Sequence, residues 1–392
     1  MRRVLFITGS VVFVDTVFFA ALTPLVPHYA DRFGLSKAGA GLLAAAYPVG
    51  VLAGSIPSGL LAARIGVRPA STLGLLLVAA SSTTFGFAGS AGLLDATRFV
   101  QGIGSACAWT AALTWIVEVA PPSRRGDLIG RTMGVAIGGA MLGPVLGGAA
   151  SLVGTGEAFT GVAAVAVAVA ALALRTDAPR LRTGQPVERL AAALRDPRIV
   201  GGLWLVALPA LLFGTTSLLV PLHLARLGAG AVALSGVFLA AVSLEACVSP
   251  LVGRIADRRG RLLPLSIGLA ASAAGAAVLP WPSAPALLGL LAVLASAAFG
   301  VFWVPAMAML ADSADRIDLH PAWAFALMNL AWAPGQALGS AAGGGIAHAT
   351  ADAVPFLALS GACLLTLAAL RRAASGPRSV SPGGPGTDRP LV

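Results

Sequence analysis

Asp15, Arg98 and Glu245 are charged side chains set well inside long apolar stretches of this 392-residue chain. Asp15 falls twelve residues past Arg3, about 18 Å along a helix at ~1.5 Å per residue, which is near the middle of a hydrocarbon layer. An ionised carboxylate at that depth costs ~2.5–3.5 kcal/mol on insertion scales. It therefore faces a cleft, has a partner, or is protonated part of the time, and the last of these is what a proton carrier does. Arg98 cannot give up its proton; it can tune a neighbouring acid, or it can simply pair with Asp95 three residues earlier on the same helical face. Glu245 lies nine residues before Arg254, about 13 Å inside that edge. It reads equally as a second proton site, a contact for a cationic substrate, or a structural hydrogen-bond acceptor.

Other chemistries find no residues to carry them. No Gly-x-x-x-x-Gly-Lys loop occurs, and the only lysine is Lys37, so a nucleotide-driven machine is not expected. No acid, base and nucleophile cluster, so the expectation is not an enzyme, and no cofactor is called for. Cys107, Cys247 and Cys363 lie in apolar runs without metal-ligand spacing, and His28, His223, His320 and His348 fall at run ends or in loops, so no metal site is expected. Phe18 and Phe19 follow Asp15, and Trp303 lies in a later apolar run. Such rings can line a lipophilic cleft and meet cations by their faces.

The elements that must position these groups are membrane helices. The chain is 57% hydrophobic and 11% charged, with mean hydropathy +0.88, whereas soluble domains carry about 25% charge. Twelve apolar runs follow in order: 4–27, 39–62, 69–89, 92–117, 129–153, 158–174, 199–222, 230–252, 263–280, 285–311, 322–347 and 353–370. Each is long enough, or nearly so, to cross ~30 Å of hydrocarbon. The first reads as a span and not a cleaved leader, because it is long, contains Asp15 and lacks a small-residue cleavage pattern. The polar segment 175–198 separates six runs from six, and the Ser/Pro/Gly-rich tail 373–392 is expected to be disordered. With the N-terminus inside, 22 basic residues fall on the inner side and three, Arg32, Lys37 and Arg226, on the outer side. That bias predicts cytoplasmic N- and C-termini in the cell (inner) membrane, and it assigns the net charge of +10 to membrane orientation and not to nucleic acid.

The fifth run carries GVAIGGAMLGPVLGG, in which Gly139, Gly143 and Gly147 fall on one helical face. A face without side chains lets a second helix approach closely; Pro144 in that face predicts a bend. Gly335, Gly339 and Gly343 repeat the trio 196 residues later. Leu25-Val26-Pro27 with Arg32 and Gly34 recurs as Leu219-Val220-Pro221 with Arg226 and Gly228, and Gly59, Arg64 and Gly66 recur as Gly253, Arg258 and Gly260, both at an offset of 194. Two parallel halves related by an axis along the membrane normal imply a central cleft and alternating access.

These residues resemble the major facilitator superfamily over about residues 4–370. Gly134, Gly138, Gly143-Pro144 and Gly147-Gly148, with Gly139 beside them, are similar to the antiporter motif of the twelve-helix drug–proton antiporters. Gly59 through Ala63, Arg64, Gly66 and Arg68 resemble the superfamily loop motif between the second and third spans. Arg98-Phe-Val-Gln101-Gly102 resembles the family's fourth-span pattern, and Asp15 with Pro24 and Pro27 looks like the first span of vesicular amine transporters and bacterial drug-efflux relatives. The loop motif normally holds an Asp where this chain has Ala63, but the second copy keeps it as Asp257. The resemblance implies that this carboxylate braces the cytoplasmic gate, so bracing here leans on Asp257. It also puts Asn329 where amine transporters carry an acid; an amide takes up no proton.

The expected fold is an all-α membrane protein with twelve transmembrane helices in two pseudo-symmetric six-helix bundles, the major facilitator fold. Its expected parts are an N-terminal bundle 1–174, a cytoplasmic linker 175–198, a C-terminal bundle 199–372 and the tail. The expected activity is proton-coupled efflux by a monomer of a small lipophilic compound, with cations among the candidates. Asp15, Arg98 and Glu245 would couple protons, and Phe18, Phe19, Gln101, Trp303 and Asn329 would line the cleft. The partners are that substrate, protons and the bilayer. The alternatives are export of a sugar or other polar metabolite, and a non-transporting membrane sensor or receptor.

Overall fold

The computed structural model describes residues 1–121, 124–178, 187–319 and 321–375. Tail residues 376–392, linker residues 179–186 and His320 lie outside the described residues. The first crossing is split: helix α1 (Arg2–Ala21) gives way to a 3₁₀ turn (Thr23–Leu25) and then α2 (Val26–Phe33). The split follows from Pro24 and Pro27, which have no N–H to offer the carbonyls one turn back. Eleven more long helices follow: α3 (Lys37–Ile65), α4 (Val67–Gly86), α5 (Ala91–Val119), α6 (Arg125–Val153), α7 (Thr155–Leu174), then, past a short α8 (Val187–Ala193) in the linker, α9 (Pro197–Arg226), α10 (Ala231–Arg259), α11 (Leu262–Val278), α12 (Pro285–Arg316), α13 (Pro321–Ala349) and α14 (Ala353–Ser375). With twelve passes, both ends of the described chain lie on one side.

Side-chain oxygens cap three helix starts: Ser36 accepts from Gly39 N at 3.2 Å, Ser90 from Leu93 N at 3.3 Å and Asp196 from Arg198 N at 2.8 Å. The internal repeat is written in the backbone as well. Gly34 and Gly228, and likewise Gly66 and Gly260, are pairs 194 residues apart, and all four have positive φ (61°, 88°, 91° and 82°), a region other residues enter at a cost.

Glycine contacts set the packing within each half. A Cβ on Gly50 would lie 2.0 Å from the Phe99 carbonyl oxygen, and one on Gly102 would lie 2.0 Å from the Tyr47 carbonyl oxygen, so α3 and α5 touch backbone to backbone. Gly139, Gly143 and Gly147 of α6 pack on α1 at Phe13, Ala20 and Ala21. Their counterparts Gly335, Gly339 and Gly343 of α13 pack on α9 at Ala207, Leu211 and Thr215. Gly134 and Gly138 lie outside this seam: nothing falls within 4 Å of a Cβ on Gly134, and only Phe13 comes near Gly138.

The halves meet through a second pair of contacts that obeys the same repeat. A Cβ on Gly148 (α6) would strike Ser235 Oγ (α10) at 2.7 Å, and one on Gly344 (α13) would strike the Lys37 carbonyl oxygen (α3) at 2.5 Å, with Gly41 Cα at 3.2 Å. Positions 41 and 235, and 148 and 344, are the repeat's equivalents. All four lie at the end away from the termini, so the halves touch there.

Candidate functional site: a buried carboxylate beside an aromatic cavity

Asp15 is 1% exposed, on the part of α1 that leans against α5. Its Oδ2 accepts hydrogen bonds from Ser105 Oγ at 2.8 Å and Trp109 Nε1 at 2.7 Å, with the Tyr47 hydroxyl at 3.2 Å. Tyr47 has one phenolic proton, and its shorter contact is to Ser105 Oγ at 2.7 Å. The natural arrangement is thus a relay, Tyr47 to Ser105 to Asp15, joined by the indole N–H. Asp15 Oδ1 is buried and has no hydrogen-bond partner among the described residues. A proton placed on Oδ1 disturbs none of these contacts.

Arg98 is also buried, at 2% exposure. It makes no ion pair with Asp95 or Asp15 among the described residues; its Nη1 donates to Gln101 Oε1 at 2.6 Å, and Gln101 Nε2 donates to Ser82 Oγ at 2.7 Å. The guanidinium lies over the Tyr47 ring, 4.9 Å from its centroid, and 5.9 Å from that of Phe85. Cation–π contact is worth ~2 kcal/mol when desolvated. Tyr47 therefore couples the two charges, its ring facing Arg98 and its hydroxyl facing the Asp15 relay.

A cavity of about 400 Å³ adjoins Asp15. Phe19, Trp303, Trp332 and Asn329 line it at mid-depth, and Leu113, Ile129, Met133, Met307 and Met328 carry it toward the end that bears the termini. A second cavity of about 340 Å³ shares Thr16, Phe19, Trp303 and Trp332 with the first and adds Arg98 and Glu245. The Glu245 side chain has no hydrogen bond or ion pair among the described residues, and Gly300 makes room for it: a Cβ there would sit 2.7 Å from Glu245 Cγ.

Of the expected cleft residues, Phe19, Trp303 and Asn329 reach the cavity beside Asp15. Gln101 does not; it is 2% exposed and holds Arg98 from behind. Phe18 is fully buried and stacked on Phe159 at 5.8 Å, which corrects its expected place in the cleft. At ~100° per residue, Thr16 and Phe19 lie to one side of Asp15 around the helix and Phe18 to the other; the cavity is on the Thr16 side. Tyr47, Ser105 and Trp109 were not singled out by the sequence. The available signal was the spacing Arg98, Gln101, Ser105, Trp109, which puts four polar or aromatic groups on one face of α5.

At the end away from the termini a charged clasp joins the halves. Asp352, in the turn before α14, accepts from Lys37 Nζ at 2.5 Å and from Arg226. Burial raises the Asp352 carboxyl, but hydrogen bonds from Lys37 and Arg226, and their charges, outweigh it and hold it below the usual 3.8. A lowered folded-state value means the clasp's contribution is complete above the ordinary carboxylate range and fades only as pH falls through the lowered value. Closure of this end, read by spin-label distances across it, should be flat from pH 8 to 5 and loosen below about pH 4. Asp352→Asn should mimic the acid state at pH 7, shifting the closed population by about fivefold, as ~1 kcal/mol for a partly exposed pair implies.

The residues expected to form a gate at the end that bears the termini are arranged differently. Arg64, Asp257 and Arg258 are exposed, Arg68 is partly so, and Asp257 makes no ion pair among the described residues. If Asp257 braces only the closed form of this end, Asp257→Asn should leave thermal stability of the present state unchanged and slow turnover by about two- to fivefold, the worth of one carboxylate at a helix N-terminus. An unchanged rate would remove Asp257 from the gate.

A family model described as the Major Facilitator Superfamily matches residues 8–318 and 234–392. The chain is 31% identical over 151 residues to the MFS-type transporter ppzB of Metarhizium rileyi, covering 35% of this chain and 29% of that one. It is 29% identical over 122 residues to the multidrug resistance protein MdtL of Shewanella oneidensis, and 23% identical over 148 residues to the quinolone resistance protein NorA of Staphylococcus aureus, covering 31% and 38% of each chain in turn. The matches thus span about a third of the length of these curated relatives. In structure it is similar to a bacterial homologue of the human lysosomal transporter Spinster, crystallised inward-facing and unoccupied, with TM-score 0.73, 17% identity and 95% of both chains covered. It is also similar to the human organic anion transporter MFSD10, with TM-score 0.71, 17% identity, and 94% and 99% covered.

Proposed function

The chain belongs to the major facilitator superfamily and is a multi-pass membrane transporter, not an enzyme; from that premise we propose that it exports small lipophilic cations in exchange for protons. The observation that carries this reading is the lone Oδ1 of Asp15 beside a cavity walled by rings and methionines. Thioether and aromatic walls adapt to many shapes and attract cations, while a single acid supplies charge selection. The apolar walls give a sugar or other polar metabolite few partners.

In the proposed cycle the end where the halves touch is closed and external, in keeping with the basic-residue bias, and the cavity receives substrate from the cytoplasm. A cation settles against ionised Asp15 and between the rings of Phe19, Trp303 and Trp332. The Tyr47–Ser105 relay and the Trp109 N–H hold the carboxylate still, so the charge is presented without reorganisation. After the helices rock, a proton from outside takes Oδ1 and the cation leaves, since one site cannot hold both. Glu245, which lines the adjoining cavity along with Arg98, is the second titratable group on the path. The bundles 1–174 and 199–372 move against each other about the 175–198 linker.

Purified protein in liposomes with an imposed pH gradient, offered a panel of organic cations and neutral compounds, tests the proposal. Cations should accumulate against their gradient and dissipate the proton gradient as they move. Uptake of neutral or sugar-like solutes without proton movement would overturn it.

A further inference from the structure

We propose that the terminus-bearing face of the C-terminal half holds a built site for one anionic glycerophospholipid, distinct from the transport cavities. A groove of about 820 Å³ runs between α9, α12 and α14. Its rim carries Arg198 and Arg316, both exposed and neither in an ion pair among the described residues. Its walls are apolar and outward-facing: Leu365 is 74% exposed and Trp204 44%. The Trp204 indole N–H is already used on Thr366 Oγ1 at 3.0 Å, so the ring presents carbon to the groove.

Two of the nearby acids are engaged elsewhere. Asp312 lines the groove but is engaged by both terminal nitrogens of Arg261. Asp196 bonds the backbone N–H of Arg198. Among the described residues, neither these acids nor Asp315, exposed beside Arg316, forms an ion pair with Arg198 or Arg316, so both guanidiniums are left free at the edge of the hydrocarbon layer. Trp204 lies six residues from Arg198, about 9 Å deeper along α9. That is the geometry of a phosphate at the rim and an acyl chain laid along Trp204 and Leu365. Basic pockets between helices at a membrane face recognise anionic headgroups in this way, each basic residue adding ~1 kcal/mol. The inference does not depend on what the central cavities carry.

Native mass spectrometry of the full chain in detergent, titrated with dioleoyl phosphatidylglycerol or dioleoyl phosphatidylcholine, tests it. The wild type should retain one phosphatidylglycerol about 30-fold more tightly than the double variant Arg198→Gln/Arg316→Gln, and Arg198→Lys/Arg316→Lys should keep most of that preference. Phosphatidylcholine should bind all three alike and weakly. Equal phosphatidylglycerol retention by wild type and the Gln pair, or equal retention of the two lipids by the wild type, would overturn the proposal. Displacement of the lipid by millimolar inorganic phosphate would also overturn it, because it would make the site one for free anions. Neither Gln substitution touches the transport cavities, so wild-type exchange by the Gln pair confirms folding.

Discussion

Asp15→Asn should abolish uphill transport and leave the fold intact. The amide keeps the size of the acid, and its oxygen still accepts from Ser105 and Trp109, so the Oδ2 network of three groups within 3.2 Å survives. What is lost is the group that takes a proton. A one-unit pH gradient sustains about a tenfold accumulation per proton exchanged; in the variant it should sustain none. Cation affinity should also fall by about ten- to a hundredfold, since hydrogen bonds to a charged group contribute ~1.5–3 kcal/mol. Asp15→Glu, which restores the charge a methylene further out, should recover part of both. Liposome accumulation under a fixed gradient, beside equilibrium binding, separates coupling from affinity. Full accumulation by Asp15→Asn would remove this residue from the proton path.

Gly102→Ala should do nearly as much damage from farther away. The added methyl would meet the Tyr47 carbonyl oxygen at 2.0 Å, Val51 N at 2.8 Å and Gly50 Cα at 2.9 Å. All three are backbone atoms, so no rotamer relieves the clash and α3 must move off α5. Overpacking costs ~1–3 kcal/mol, and the rigidity of the neighbours puts this case at the upper end. Because Tyr47 moves with α3, its contact with Ser105 and its stacking under Arg98 go together. The expected result is a large drop in melting temperature and loss of cation binding in whatever protein still folds. Gly134→Ala is the control: with nothing within 4 Å of its Cβ, it should be neutral or stabilise by ~0.5–1 kcal/mol, the ordinary helix preference for Ala over Gly. Equal tolerance at the two positions would mean that the α3–α5 contact does not hold the site together.

The membrane fold was legible because its causes are periodic. Apolar run length and basic-residue bias are summed over many positions, and the glycine trios 139/143/147 and 335/339/343 lie where they must if two helices are to touch in each half. The interruption of the first crossing after Ala21 was less so: Pro24 and Pro27 were visible, but how a proline pair is relieved depends on neighbours. Asp15 stood out as an acid in an apolar run. Its donors did not, because Tyr47 and Ser105 come from different helices and their meeting depends on the close crossing at Gly50 and Gly102. Phe18 and Phe19 are alike in composition; only the direction of the cavity around α1 tells them apart. The partner of Arg98 likewise could not be chosen from spacing, since Asp95 and Gln101 are both three residues away, and the fold selects Gln101 by burying that face against Ser82. The Lys37–Asp352–Arg226 clasp joins positions up to 315 apart, beyond any local pattern.

Proton release on substrate binding tests the central claim most directly. Purified protein in weakly buffered detergent with a pH indicator, held where the site is largely protonated, should release about one proton per cation bound, and Asp15→Asn should release none while Glu245→Gln still does. Undiminished release from Asp15→Asn, or release that vanishes only with Glu245→Gln, would contradict it and move the exchange site to the other half of the molecule.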